Sequence, residues 1–250
     1  MKFNAVFGSS SIKDTFGWVK LGSKSFAKRP LLHLLTMLSI AIWLLAILAV
    51  SGLVEFNYVL VIISTIVFNT ILPAAMAAMV VTDEIAVSGQ KGNYFKMVWS
   101  KLWQSGVLRL ILVYVLVVVA ISLADSLIIT EFPATTVVAN GIMQFMQIVL
   151  QLVLWIAIPA ALRNERIMPF HMLWYSLVAI MKNLIPVVLY AFLNLIILLL
   201  IILACFGLMN VVTPPVVAVI FILLMMIFLS WFGVCCAYVS KQVLPLVERL

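Results

Sequence analysis

Long apolar runs, each sufficient to cross a bilayer, alternate along this chain with short stretches that hold nearly all of its charge. A helix needs about 20 apolar residues to cross the hydrocarbon. Six segments qualify: residues 31–53, 58–82, 106–125, 138–162, 184–207 and 215–239. The links Val54-Glu55-Phe56-Asn57 and Leu208 to Pro214 are short, which makes the first and third pairs helical hairpins. The predicted fold is therefore all-α, a polytopic bundle of six transmembrane helices forming a single membrane domain over residues 1–250. The first thirty residues hold no sustained apolar core ahead of a small-residue cleavage site, so the N-terminal arm is expected to be retained.

Six crossings put both termini on one side of the membrane, and the charges say which. The 15 Lys and Arg residues lie in the N-terminal arm, in the links 83–105 and 163–183, just inside a span end at Arg109, or in the tail after Tyr238. The remaining links carry Glu55, Asp125 and Glu131 instead. Basic residues are retained on the cytoplasmic face, which predicts both termini inside. A bacterial inner membrane is the expected location. Composition agrees with burial in lipid: 66% of residues are apolar and 9% charged, against about 25% charged in soluble domains. The net charge of +7 is accounted for by topology and by attraction to anionic headgroups, about 1 kcal/mol per basic residue. It calls for no nucleic-acid partner.

The stretches before the odd-numbered spans are not ordinary loops. Phe95, Val98, Trp99 and Leu102 recur at helical spacing, with Lys96, Lys101 and Gln104 elsewhere on the wheel. Such a helix suits the headgroup boundary, apolar face inward. In the N-terminal arm Lys13, Lys20, Lys24 and Lys28 fall within about 80° of one another, beside an arc of Ile12, Phe16, Val19 and Phe26. A WxxL pattern appears three times, at Trp18–Leu21, Trp99–Leu102 and Trp174–Leu177, each ahead of an odd-numbered span. Pro73-Ala-Ala and Pro159-Ala-Ala stand at the ends of the second and fourth spans. These positions predict a triple internal repeat of one in-plane amphipathic helix plus one transmembrane hairpin, over about 10–82, 93–162 and 168–239. The third amphipathic segment, Pro169 to Val178, carries little charge and is expected to be more buried. The expected headgroup or partner contacts are Lys13, Lys20, Lys24, Lys28, Arg29, Lys96 and Lys101, with Trp18, Trp99 and Trp174 in the interfacial belt.

Gly17-Trp18, Phe26 through Pro30, Pro73 through Ala77, Pro159 through Ala161, and Trp174 through Pro186 together resemble a pattern in a bacterial family of six-span inner-membrane proteins of unknown function. The resemblance runs over nearly the whole chain and implies the same six-span layout, but no catalytic residue. A similar layout occurs in the membrane domain attached to glycerophosphodiester phosphodiesterases, which tilts the expectation toward lipid-related work. No soluble hydrolase domain is present to carry that activity.

Polar residues inside spans are functional candidates. Asn140, Gln144, Gln147 and Gln151 are spaced 4, 3 and 4 apart, within about 60° of one face. Such a stripe can bond neighbouring helices within the chain, meet another chain, or line a path; the first is the commonest use of amides in membranes. Asn69 stands four residues before Pro73, where it can cap freed carbonyls, with Asn194 as its expected partner. Arg109 is placed to snorkel, and His33 and His171 read as satisfied structural residues. Cys205, Cys235 and Cys236 lie in apolar runs and behave as small hydrophobes. No acidic residue sits near mid-span, as proton-coupled transport usually requires. There is no HExxH, GxSxG or phosphate-binding glycine loop. The reading is a non-catalytic membrane protein without metal or cofactor. It binds anionic lipid, or associates as an accessory or scaffold subunit with another membrane protein or a second copy. A channel or carrier for a small or lipid-like molecule is the alternative.

Overall fold

The computed structural model describes residues 7–52, 70–87, 94–131, 136–164 and 167–245. Among them the secondary structure is entirely helical. In chain order the helices are α1 (Ile12–Lys28), α2 (Pro30–Gly52), α3 (Leu72–Val87), α4 (Tyr94–Leu102), α5 (Ser105–Glu131), α6 (Thr136–Arg163), α7 (Pro169–Lys182), α8 (Leu184–Leu208) and α9 (Pro214–Val243). Among the described residues, three helices are long and apolar enough to cross a membrane, in α6, α8 and α9. The α4–α5 pair supplies a fourth crossing if it is one bent span. Residues 58–69 of the second expected span lie outside the described residues. The helices overrun the expected spans, α9 by four residues at Val243, because a helix satisfies its own backbone wherever hydropathy ends.

Three short helices each lead into a long one across a break of one or two residues: Arg29 between α1 and α2, Trp103-Gln104 between α4 and α5, and Asn183 between α7 and α8. At the second break the axis turns by 46° between Lys96–Leu102 and Ser105–Ile121. That is a bend, not the right angle an in-plane helix would make with an upright span. Pro30, Pro169, Pro186, Pro214 and Pro215 stand in first turns, where a missing N–H costs nothing. Pro159 lies inside α6, which runs on through it to Arg163. A π-helical turn at Thr70–Ile71 stands ahead of Pro73.

The core is built at one end of the bundle, where α6 and α9 finish and α8 begins. Every residue from Leu72 to Thr82 is buried. Alanines 74, 75, 77 and 78 let neighbouring backbones approach α3 closely. Gly233 of α9 shows how closely: an added Cβ would lie 2.6 Å from Met76 Cγ. Ser240 Oγ donates to the Ile156 carbonyl at 2.7 Å, and the Arg163 guanidinium reaches the Ala237 carbonyl at 3.4 Å, tying α6 to α9. The far halves of α8 and α9 turn large apolar side chains outward, among them Leu199, Leu203, Val219 and Ile222, as lipid-facing surfaces do.

Helix α1 departs from the expected raft at the headgroups. It runs antiparallel along α9, as successive contacts show: Gly8 N–H donates to Val243 O at 3.2 Å, Trp18 Nε1 to Gln242 Oε1 at 2.7 Å, and Ser23 Oγ accepts from Trp231 Nε1 at 2.8 Å. Gly22 meets Cys235 so closely that a Cβ there would touch the thiol and lie 2.9 Å from Cys235 Cα. The buried face is Thr15, Trp18, Gly22 and Ser25, mostly small residues, while Ile12 and Phe16 point outward. Helix α7 also presents smaller residues inward. Met172, Ser176 and Ala179 are inside, whereas Phe170 and Trp174 are 68% and 61% exposed.

Candidate functional site

The amide stripe divides. Gln144 and Gln147 are exposed on the N-terminal half of α6 and Gln151 is half-buried. The Asn140 side chain lies outside the described residues. Amides laid against a neighbouring helix of the same chain would be covered, and Gln144 and Gln147 are not. Below them Gln151 stands beside a cavity of about 130 Å³ bounded by α6, α8 and α9. Its walls include Trp155, Tyr190 and Phe232, with Cys236 and Val239 toward the basic end.

The aromatic wall is ordered by packing. The rings of Tyr190 and Phe232 stack at 5.9 Å between centroids, and Trp155 lies 4.5 Å from Phe232. The Tyr190 hydroxyl donates to the Phe232 carbonyl at 3.3 Å and lies 3.6 Å from Cys236 Sγ. Trp18 closes on the other side of Tyr190, edge to face at 6.1 Å. One turn farther along α8, Asn194 Nδ2 donates to the Tyr190 carbonyl at 2.7 Å. That bond lies within its own helix, so the expected pairing with Asn69 falls outside the described residues.

A second hollow of about 400 Å³ lies between α5, α6 and α7, lined by apolar side chains such as Ile121, Phe145, Val149, Phe170 and Trp174.

The expected headgroup contacts separate by environment. Lys13, Lys20, Lys24, Lys28 and Arg29 are exposed, as is Lys96, and Lys101 is partly so. On α1 the lysines lie opposite the docking face, with Ile12 and Phe16 between. The three WxxL tryptophans are not equivalent. Trp18 is fully buried and bonded to Gln242, Trp99 is half-buried and Trp174 is exposed. Trp18 therefore holds helices together instead of reaching headgroups.

Residues outside the predicted site fasten the N-terminal arm. Asn183, buried at the α7–α8 break, accepts from Ser10 N–H at 2.7 Å and donates through Nδ2 to the carbonyls of Gly8 and Ala179, both at 2.9 Å. The Asp14 carboxylate accepts from the backbone N–H of Ser11 at 2.6 Å and its hydroxyl at 2.9 Å, closing a capping box at the start of α1. Those bonds, and a further one from Gln242, hold its carboxyl below the ordinary aspartate range. Lys182 lies over the Phe7 ring at 4.4 Å.

His33, expected to be satisfied, is buried, with neither ring nitrogen hydrogen-bonded among the described residues; its ring lies 5.2 Å from that of Phe26. His171 and Arg109 are exposed. The three cysteines are free and buried. Among the described residues no cluster of His, Cys, Asp and Glu could hold a metal ion. No family model matches this chain, and neither a curated protein nor a solved structure matches it.

Proposed function

We propose that this chain is a non-catalytic membrane protein that holds anionic lipid at its basic end and serves as an accessory or scaffold subunit for another membrane protein. The observation that carries the proposal is the exposure of Gln144 and Gln147 on a span whose deeper half is closely packed. An amide facing hydrocarbon loses its water without gaining a partner, and a neighbouring chain restores that bond, worth about 0.6–2 kcal/mol per amide. The exposed lysines of α1, flanked by Ile12 and Phe16, suit headgroups above and acyl chains beside them. On this reading the basic end is cytoplasmic, the membrane is a bacterial inner membrane, and the three short-helix and long-helix units are copies of one ancestral element, as the resemblance to the six-span family implies.

The test is copurification in polymer-bounded native membrane discs. Wild-type chain should bring down a reproducible membrane-protein partner and enriched anionic lipid. Replacing Gln144, Gln147 and Gln151 by Leu should remove the partner while leaving insertion intact. A chain that emerges alone, with bulk lipid composition, would defeat the proposal. The alternative, a carrier for a small or lipid-like molecule, draws support from the cavity beside Gln151. Its uncharged walls favour a neutral cargo over an ion.

A further inference from the structure

The contacts between helices repeat along the chain in the units α1–α3, α4–α6 and α7–α9. The helices that finish the units, α3, α6 and α9, touch one another pairwise, and where they meet Met76 of α3 and Trp155 of α6 stand against Gly233 of α9. The second and third units each open with a short helix packed on the finishing helix of the unit before: α4 lies on α3, and α7 on α6. Helix α1 has no unit before it. It packs instead on α9, the finishing helix of the last unit, and on α8 beside it, as α7 touches α5 beside α6. The step that carries α4 to the place of α7 thus carries α7 to the place of α1, which is how repeated elements close a ring. The three seams differ in one respect. Chain runs directly from α3 to α4 and from α6 to α7, through residues 88–93 and 164–168, whereas no peptide link joins α9 to α1.

We propose that α1 is a releasable clasp: held on α9 where α4 lies on α3 and α7 on α6, it closes a pseudo-threefold ring, and its release uncovers the Cys235 face of α9 while α3, α6 and α9 stay packed. This rests on the reading of the three units as copies of one element. The clasp is made of contacts that can be remade. Thr15 Oγ1 donates to the Pro186 carbonyl at 3.2 Å, Trp18 and Ser23 bond Gln242 and Trp231, and Gly22 lies directly on Cys235. Apart from Trp18 the buried face of α1 is small or polar, so a released helix gives up little apolar burial and recovers its hydrogen bonds from water. Water is at hand, because the lysines on the far side of α1 are exposed. The finishing helices, by contrast, are packed on one another through Met76, Trp155 and Gly233, and none of these contacts involves α1.

Alkylation by N-ethylmaleimide of the full chain in nanodiscs, resolved at each cysteine by mass spectrometry, reads the clasp. Cys205, Cys235 and Cys236 are all buried and free, so each should react slowly in the wild-type chain. Gly22→Leu forces α1 off Cys235, where even a Cβ collides. It should speed reaction at Cys235 about tenfold or more and leave Cys205, on the far half of α8, unchanged. A permuted chain tests the ring: it begins at Tyr94, ends at Asn93, and joins Leu250 to Met1 through a short Gly-Ser linker. Gly8 N–H already bonds Val243 O at 3.2 Å, so the join should be accommodated, the chain should insert, and Cys235 should stay protected. Equal reaction of Cys235 in wild type and Gly22→Leu would overturn the clasp and leave the three-unit reading untouched. Equal acceleration at Cys205 would overturn it as well, because α1 would then hold the whole fold instead of one seam. A permuted chain that fails to insert, or inserts with Cys235 open, would overturn the ring.

Discussion

Replacing Asn183 by Ala should loosen the N-terminal arm far more than a single substitution at a helix junction ordinarily would. Asn183 makes three side-chain hydrogen bonds, and two of them, to Ser10 N–H and the Gly8 carbonyl, hold the arm. The third closes the end of α7 on the Ala179 carbonyl. A neutral hydrogen bond contributes about 1 kcal/mol net, so the arm loses about 2 kcal/mol of its attachment. Since 1.4 kcal/mol is a factor of ten, its open population rises roughly thirtyfold. The remaining arm contacts, Gly8 N–H to Val243 O and Lys182 over Phe7, are untouched in the variant. Hydrogen–deuterium exchange of the peptide covering residues 7–11 reads this directly. The variant should exchange roughly thirty times faster there while peptides in α6 keep their protection. Equal exchange in the two proteins would refute the argument, because it would mean that Asn183 bears none of the attachment.

Other outcomes follow from the same packing. Gly22→Leu should displace α1 from α9, since even a Cβ collides with Cys235, whereas Gly17→Ala meets nothing within 4 Å and should be neutral or stabilise α1 by up to about 1 kcal/mol; thermal melting separates the two. Protonating Asp14 should release its capping box. Its folded carboxyl titrates below the ordinary value, so its contribution is present above about pH 4 and is lost as pH falls through the lowered folded value. Exchange at residues 11–15 should rise on acidification, and Asp14→Asn should remove that dependence. Changing Lys13, Lys20, Lys24 and Lys28 to Gln should weaken retention of anionic lipid by about fivefold per residue at low salt, from about 1 kcal/mol each. Native mass spectrometry counts the retained lipid, and equal retention would show that these lysines face no headgroup.

The long helices were legible because hydropathy over twenty residues reflects the solvent and needs no knowledge of neighbours. The inward faces of α1 and α7 were not, for the same reason. In water the apolar face of a helix points to the core, but in lipid apolar side chains also suit the outside, and small residues mark where helices meet. The arc of Ile12 and Phe16 thus points outward, while Thr15, Gly22 and Ser25 make the contact with α9. Phe170 and Trp174 point outward from α7 in the same way, with Met172, Ser176 and Ala179 inside. Helical spacing was enough to find the amide stripe, yet it could not say what the stripe faces. The cavity was beyond reach of any local pattern, since Trp155, Tyr190 and Phe232 come from three helices and only packing unites them.

The two ends of the bundle have different physical requirements, and this bears on where function can reside. At the basic end, polar bonds such as Ser240 to Ile156 and Trp18 to Gln242 are made between close backbones, and each would be left buried and unpaired if its helices moved. Displacing that end is therefore costly. The outer halves of α6 and α8 carry no such cross-links among the described residues; their surfaces are exposed apolar side chains interrupted by Gln144 and Gln147. Exchanging lipid for a partner there breaks no internal hydrogen bond. The cavity lies where these regimes meet, with Tyr190 and Phe232 in its wall and Gln151 at its rim.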